Sequence, residues 1–154
     1  MLFDLTARDS MNSDHRVTYR SCVMPWQCDQ MGHMNARHIY AAFDDATGVF
    51  AASLGADFAS VAGSGLGWAD VHQEIEFLQE LANGSALTVV TTLLALGRSS
   101  ITFRHDLTVL GGTGTAARLT SKTVRFDTAA RRSAPIEGEL RARIEALLPN
   151  EVVA

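Results

Sequence analysis

The chain of 154 residues carries 13 Lys and Arg against 17 Asp and Glu, a formal net charge of −4. With 47% hydrophobic residues it can bury the core of one globular domain, and a second domain is not expected. The acidic balance excludes the general basic field that nucleic-acid-binding proteins use. No apolar stretch approaches the roughly 20 residues that span a bilayer, so we expect neither a nucleic-acid nor a membrane partner.

Residues 1 to about 14 are polar and irregular, no secretory signal is recognisable among them, and the closing residues are expected to be frayed. We predict a loose tail over residues 1–14, one domain over 15–149 and a short tail over 150–154. Cys22 and Cys28 lack the spacing of a redox pair or a zinc knuckle. Free thiols and a cytoplasmic location are therefore expected.

The first half of the chain predicts one strand followed by one long helix. The strand candidate runs from Arg16 to Trp26 and stops beside Pro25. Apolar residues at helical spacing then predict a helix over Ala36 to Leu54. Asn35 is the expected N-cap, and Gly55 fits the left-handed position that ends a helix.

The next strand, between residues 68 and 77, shows a two-fold alternation that is typical of strands with one core face. The residues predicted to face the core are Ala69, Val71, Ile75 and Phe77. The residues predicted to face the other way are Trp68, Asp70, His72, Glu74 and Glu76. A solvated or dimer-facing strip is the interpretation of His72, Glu74 and Glu76, although one of them could also supply a second acid or base.

Turn signals separate the remaining strands, which are predicted over 86–96, 101–109 and 116–126, before a short terminal helix. The turns are Asn83-Gly84, Gly97-Arg98 and Gly111 to Gly114. Consecutive strands joined by short turns are expected to be antiparallel neighbours. The sequence thus indicates an α+β fold, one antiparallel sheet of five strands around one long helix, and not a doubly wound parallel fold.

The order of these elements, together with Asp29-Gln30-Met31-Gly32-His33-Met34-Asn35 before the long helix, resembles the hot-dog fold thioesterases, in which a curved antiparallel sheet wraps a central helix. The stretch is similar to the loop before that helix in the 4-hydroxybenzoyl-CoA thioesterase-like group. The runs GHMNARHIYAAFDDA, HQEIEFLQEL, SSITFRHDL and RRSAP resemble more narrowly the thioesterases associated with carnitine and betaine breakdown. The resemblance implies hydrolysis of a small or medium acyl-CoA thioester, with coenzyme A as part of the substrate and no separate cofactor.

The residue types in this stretch suit that chemistry. Thioester hydrolysis needs a positioned base or nucleophile and donors for the developing oxyanion. The resemblance implies that Asp29 is the catalytic carboxylate. Gly32 allows close backbone approach or positive φ, and the helix beginning near Asn35 offers free N–H groups and the positive end of its dipole. Backbone amides from Gly32 to Asn35 are therefore the expected oxyanion site.

Other interpretations of the same residues stay open. Asp29 could only cap the turn. His33 could be a base or could make a structural hydrogen bond that shapes the loop, and Asn35 could orient Asp29 besides capping the helix. No metal site is expected, because His33 and His38 would diverge by about 140° on a helix. Cys28 is expected to be an inert thiol, since no base lies near it in sequence.

Two arginines and the open edges of the sheet indicate which partners the chain binds. Arg131 and Arg132 suit the phosphates of coenzyme A, although paired arginines in a turn are often merely exposed. A five-stranded sheet leaves open edges that invite pairing with a second copy. We predict a homodimer by edge-to-edge sheet extension, with a tetramer as the alternative, and the resemblance implies that the active site is built between subunits.

Two alternatives to thioester hydrolysis stay open. A hot-dog enoyl-CoA hydratase or dehydratase would need Asp-x4-His, whereas Asp29 and His33 are separated by three residues. A non-catalytic acyl-CoA binding protein would use Asp29 only as a cap.

Overall fold

The computed structural model describes residues 15–56 and 63–148. The tails predicted over 1–14 and 150–154 lie outside the described residues. The strands are β1 (His15–Cys22), β2 (Leu66–Phe77), β3 (Ala86–Leu96), β4 (Ser100–Val109), β5 (Thr115–Asp127) and β6 (Arg132–Ser133). The helices are α1 (Ala36–Ser53) and α2 (Gly138–Glu145), with a short 3-10 turn at Pro25–Gln27.

One antiparallel sheet holds the five long strands in the order β1-β3-β4-β5-β2, and the two-residue β6 pairs with β5. The α+β prediction of a sheet wrapped around one long helix is confirmed. β1 ends earlier than predicted, because Pro25 begins the 3-10 turn and has no N–H to continue a ladder.

Helix α1 begins where the sequence predicts. The side chain of Asn35 accepts a hydrogen bond from the backbone N–H of Arg37 at 3.1 Å, and Gly55 takes a positive φ of 72° beyond the last turn. The buried face of the helix packs on the concave side of the sheet, and each fully buried aromatic contributes roughly 1.5–3 kcal/mol. Its buried residues are Ile39, Ala42, Phe43, Ala46 and Phe50.

The core has two parts along α1. Around Phe43, the first half packs on Val89, Leu107 and Leu119 of the sheet. Around Phe50, the second half packs on Phe103 and on residues of the C-terminal segment, which are Ile136, Ile144 and Leu147. α2 therefore closes the end of the core that lies farthest from the start of α1.

The expectation that consecutive strands are neighbours is wrong for β2 and β3. β2 pairs with β5, from Leu66 opposite Asp127 to Phe77 opposite Ala117, so the two strands lie far apart in the sheet. The segment between them is too long for a tight hairpin and places Leu81, which is 1% exposed, in the core. Asn83-Gly84 thus turns the chain within a crossover.

The facing predicted for the first half of β2 is also wrong. The register with β5 shifts between Asp70 and His72, which is a bulge that adds one residue and exchanges the two faces. Asp70 pairs with the buried Thr123, and Trp68 packs against the second part of the core. Trp68 and Asp70 therefore point toward α1, whereas His72, Glu74 and Glu76 lie exposed on the convex face as expected.

Candidate active site

A short closed loop carries Asp29 to the start of α1. The backbone N–H of Asp29 donates to His33 O at 2.9 Å, and the N–H of Gly32 donates to Asp29 O at 3.0 Å. Oδ1 of Asp29 accepts from the N–H of Met31 at 2.8 Å. Within the described part of the chain, Oδ2 accepts no hydrogen bond, so the loop fixes the carboxylate by one oxygen and leaves the other open.

The loop that carries Asp29 is anchored at the start of α1 by backbone hydrogen bonds. Asn35 N–H donates to Gln27 O at 2.9 Å, and Met34 N–H donates to Leu81 O at 2.8 Å. Met34 is itself buried in the core. Asp29 is not the helix cap, since Asn35 has that role.

These hydrogen bonds leave fewer backbone amides free to bind an oxyanion. Three of the four amides that the sequence suggested, those of Gly32, Met34 and Asn35, already donate to backbone carbonyls. Among the described residues, the N–H groups of His33 and Ala36 have no acceptor. These two amides, at the positive end of the α1 dipole, are the donors that a carbonyl oxygen could use.

Gly32 is required because of its backbone conformation, and not because a side chain would clash with a neighbour. Its φ of 82° lies in the left-handed region, while a Cβ built on it would meet no atom within 4 Å. A side chain at this position would strain the turn without a steric clash. The structure thus gives Gly32 a role in shaping the loop.

His33 contacts a carboxylate outside the loop. Its Nε2 lies 3.3 Å from Oε2 of Glu80, and the side chain of Glu80 is largely exposed. Nothing in the described chain joins the imidazole of His33 to the carboxylate of Asp29.

Cys28, the neighbour of Asp29, is half-buried with its Sγ 3.7 Å from the carbonyl oxygen of Met24.

The predicted phosphate-binding arginines lie in the turn between β5 and β6. The guanidinium of Arg131 lies 5.3 Å from the ring centroid of Phe126, and Arg131 has a positive φ of 55°. Arg132 lines an open cavity of about 310 Å³ with Arg98 and Asp127. Asp127 pairs with the first residue of β2, whereas the Asp29 loop bridges to Ala82, beyond the last residue of β2. The arginines and Asp29 of one chain are therefore at opposite ends of its sheet.

A cavity of about 340 Å³ opens between the second half of α1 and the first half of β2. Its walls include Asp44, Thr47, Phe50, Trp68, Asp70 and Phe103. The sequence pattern does not place these residues in a site. The period of α1 puts Asp44 and Thr47 on one side of the helix, but Trp68 and Asp70 join them only through the bulge in β2.

A buried hydrogen-bond chain supports one wall of this cavity. Thr47 Oγ1 donates to Phe43 O at 2.9 Å and lies 2.9 Å from Nε2 of His105. Nδ1 of His105 lies 2.7 Å from Thr91 Oγ1, which lies 2.7 Å from Thr18 Oγ1. Because Thr47 donates its hydroxyl proton to Phe43 O, its oxygen can only accept from His105. Nε2 therefore carries the proton of the His105 ring, and Nδ1 accepts from the hydroxyl of Thr91. Burial lowers the pKa of His105 to about 4, against a smaller opposing effect of Asp106, so the ring is neutral at pH 7.

No helix in the described part of the chain has the length and apolar character needed to cross a membrane.

Comparison with known proteins gives the family. The model of the thioesterase-like superfamily matches residues 23–144. A betainyl-CoA thioesterase of Pseudomonas aeruginosa is 33% identical over 132 residues, which are 85% of this chain and 82% of that protein.

Solved structures superpose on most of this chain. A hypothetical protein of Staphylococcus aureus in complex with CoA superposes with a TM-score of 0.81 at 17% identity, covering 92% of this chain and 91% of that one. A 1,4-dihydroxy-2-naphthoyl-CoA thioesterase from Synechocystis gives 0.74 at 17% identity, covering 85% and 94%. The chain has the hot-dog fold, belongs to the thioesterase-like superfamily and is a thioester hydrolase.

Proposed function

We propose that this protein hydrolyses acyl-CoA thioesters with the carboxylate of Asp29 as general base or nucleophile. The observation that carries the proposal is the position of Asp29. One of its oxygens is fixed by Met31 N–H and the other accepts no hydrogen bond from the described residues. Its backbone N–H donates to His33 O, two residues before the Asn35 cap of α1. The names of the relatives from Pseudomonas and Synechocystis, both acting on CoA thioesters, support the choice of substrate class.

The reaction needs two groups from this loop. As a base, Asp29 takes a proton from water while the water oxygen attacks the carbonyl carbon. As a nucleophile, it attacks that carbon directly and forms an acyl anhydride that water then hydrolyses. In both routes the carbonyl oxygen gains negative charge, which the N–H groups of His33 and Ala36 would stabilise. The tetrahedral intermediate collapses, the carbon–sulfur bond breaks and the thiolate of coenzyme A leaves. In the general-base route the thiolate takes the proton that Asp29 removed from water. In the nucleophilic route the bond breaks as the anhydride forms, and the thiolate takes a proton from solvent water.

We also propose that the active enzyme is a homodimer joined through β2. Among the described strands, β2 pairs only with β5, and its outer edge is 12 residues long. Val71 and Phe77 on this strand are 58% and 56% exposed, as is expected of an edge that a second copy covers.

A two-fold antiparallel pairing of two β2 edges would set the first half of one strand beside the second half of the other. The turn holding Arg131 and Arg132 of one copy would then lie at the same end as the Asp29 loop of its partner. This arrangement gives the arginines access to the phosphates of a CoA thioester bound at Asp29, which they lack within one protomer.

The test is release of free thiol from a panel of acyl-CoAs by the wild type, Asp29→Asn and the control Asp45→Asn. Asp45 is an exposed carboxylate of α1 that lines neither the loop nor the cavity. Loss of a general base predicts a fall of about two orders of magnitude or more for Asp29→Asn, with the control near wild type. Equal turnover in the wild type and a folded Asp29→Asn would overturn the role of Asp29.

A further inference from the structure

The cavity beside Trp68 has a lining that carries negative charge. Its lining contains two carboxylates, those of Asp44 and Asp70, and within the described chain no Lys, Arg or His belongs to that lining. The remaining walls are mainly apolar, with Phe50 and Phe103 at the base. The volume of about 340 Å³ is in the range of small-molecule sites.

Neither carboxylate is neutralised by a cation of the described chain. Asp70 accepts from Gln73 Nε2 at 3.1 Å and more weakly from Ser121 Oγ at 3.4 Å, two neutral donors that orient it and leave its charge. Asp44 has no hydrogen bond or ion pair with any described residue. An anionic acyl group would therefore be repelled, whereas a cation would be attracted.

Trp68 adds a preference for one kind of cation. Indole is the best aromatic partner for a cation, and aromatic side chains are the usual protein partners of quaternary ammonium groups, which cannot donate hydrogen bonds. A primary ammonium binds best where acceptors surround it, and among the described residues of this lining the side-chain acceptors are limited to Asp44, Asp70 and the hydroxyls of Thr47 and Thr123, while the remaining walls are mainly apolar. The combination of one indole, an apolar base and two carboxylates fits a trimethylammonium group.

We propose that this cavity binds the quaternary ammonium group of the acyl moiety, Trp68 through its indole ring and Asp44 and Asp70 through their charge, so that the preferred substrates are CoA thioesters of trimethylammonium-bearing acids. The inference rests on the proposed thioester hydrolysis and names its substrate class. It assigns a specificity role to three residues outside the Asp29 loop.

The dimer brings the cavity to the carboxylate. Within one protomer, Asp44 lies eight residues along α1 from Ala36, roughly 12 Å from the helix start, which is too far for the short acyl chain of betainyl-CoA. In a two-fold pairing of β2 edges, Gly67 to Asp70 of one copy lie beside the end of β2 in the other, next to its Asp29 loop. The ammonium group is therefore held by the copy that does not supply the attacking carboxylate.

The first experiment compares betainyl-CoA with 3,3-dimethylbutanoyl-CoA, in which carbon replaces the charged nitrogen at nearly the same size. We expect kcat/KM to favour betainyl-CoA at least tenfold. Asp44→Asn and Asp70→Asn should each reduce that ratio about tenfold, mainly through a lower rate on the charged substrate. Asp45→Asn, the neighbouring exposed carboxylate, should leave the ratio unchanged. Equal hydrolysis of both thioesters by the wild type would overturn the inference and leave the hydrolase itself intact.

A second experiment does not depend on catalysis. The chain has two Trp, Trp26 and Trp68, so in Trp26→Phe the fluorescence reports Trp68 alone. Choline should quench it saturably, 3,3-dimethylbutan-1-ol should not, and Asp44→Asn in the same background should weaken choline binding several-fold. Choline quenching without thiol release from any thioester would support the cation site and contradict the proposed hydrolysis. No selective quenching would overturn the cation site.

Discussion

Oδ1 of Asp29 accepts a hydrogen bond from the backbone N–H of Met31 at 2.8 Å, and this contact separates the structural role of Asp29 from its proposed catalytic role. Asparagine keeps an oxygen at this place and loses the charge. We expect Asp29→Asn to keep the wild-type free energy of unfolding within about 0.5 kcal/mol, and Asp29→Ala to lose about 1 kcal/mol. Urea unfolding of both variants measures this.

Activity completes the comparison of the Asp29 variants. Both should lose hydrolysis to a similar extent, because both lose the carboxylate. If activity instead followed stability, with Asp29→Asn nearly as active as the wild type, Asp29 would be only a turn residue.

The exposed edge of β2 gives a prediction about assembly. Val71→Lys places a charge where we propose that two copies meet, and lysines on edge strands oppose pairing. We expect this variant to be monomeric by light scattering at micromolar concentration and to have lost activity, because the site would be incomplete. Leu110→Lys, which replaces a 75% exposed apolar residue of the β4–β5 turn, is the matched control. A wild-type protein that is only monomeric would contradict the dimer.

The arginines of the β5–β6 turn are tested with two substrates that differ only in the nucleotide part. We expect Arg132→Ala to raise KM several-fold for an acyl-CoA and to leave KM unchanged for the corresponding acyl-pantetheine, which lacks the nucleotide phosphates. Arg16→Ala, on the other edge strand, is the control. Equal effects on both substrates would exclude phosphate binding by Arg132.

The parts of the fold that could be predicted depend on local sequence. The cap at Asn35, the left-handed Gly55 and the apolar spacing of α1 are each determined within a few residues, and the helix bounds agree with the structure to within one residue. The same holds for β3, whose predicted bounds are those observed. Local signals were sufficient because capping and helical periodicity act through neighbouring residues.

The parts that could not be predicted depend on long-range pairing. β2 looked like the neighbour of β3, but its partner is β5, some fifty residues along the chain. The bulge after Asp70 has no signal in the alternation of polar and apolar residues, and it alone turns Trp68 and Asp70 toward α1. The Asp29 loop could be predicted from the sequence because it consists of seven consecutive residues and does not depend on long-range pairing.

The last prediction concerns the buried His105. Its pKa is about 4 in the folded protein against 6.5 for the free side chain, because burial disfavours the charged ring. Between these values the unfolded chain binds a proton that the folded one does not, so stability is fully present above about pH 6.5 and falls as the pH approaches 4. The difference is on the order of 3 kcal/mol. Urea unfolding at pH 7.5 and 4.5 should show this loss, and His105→Gln should remove most of it. An unchanged pH dependence in that variant would mean that other groups cause the acid sensitivity.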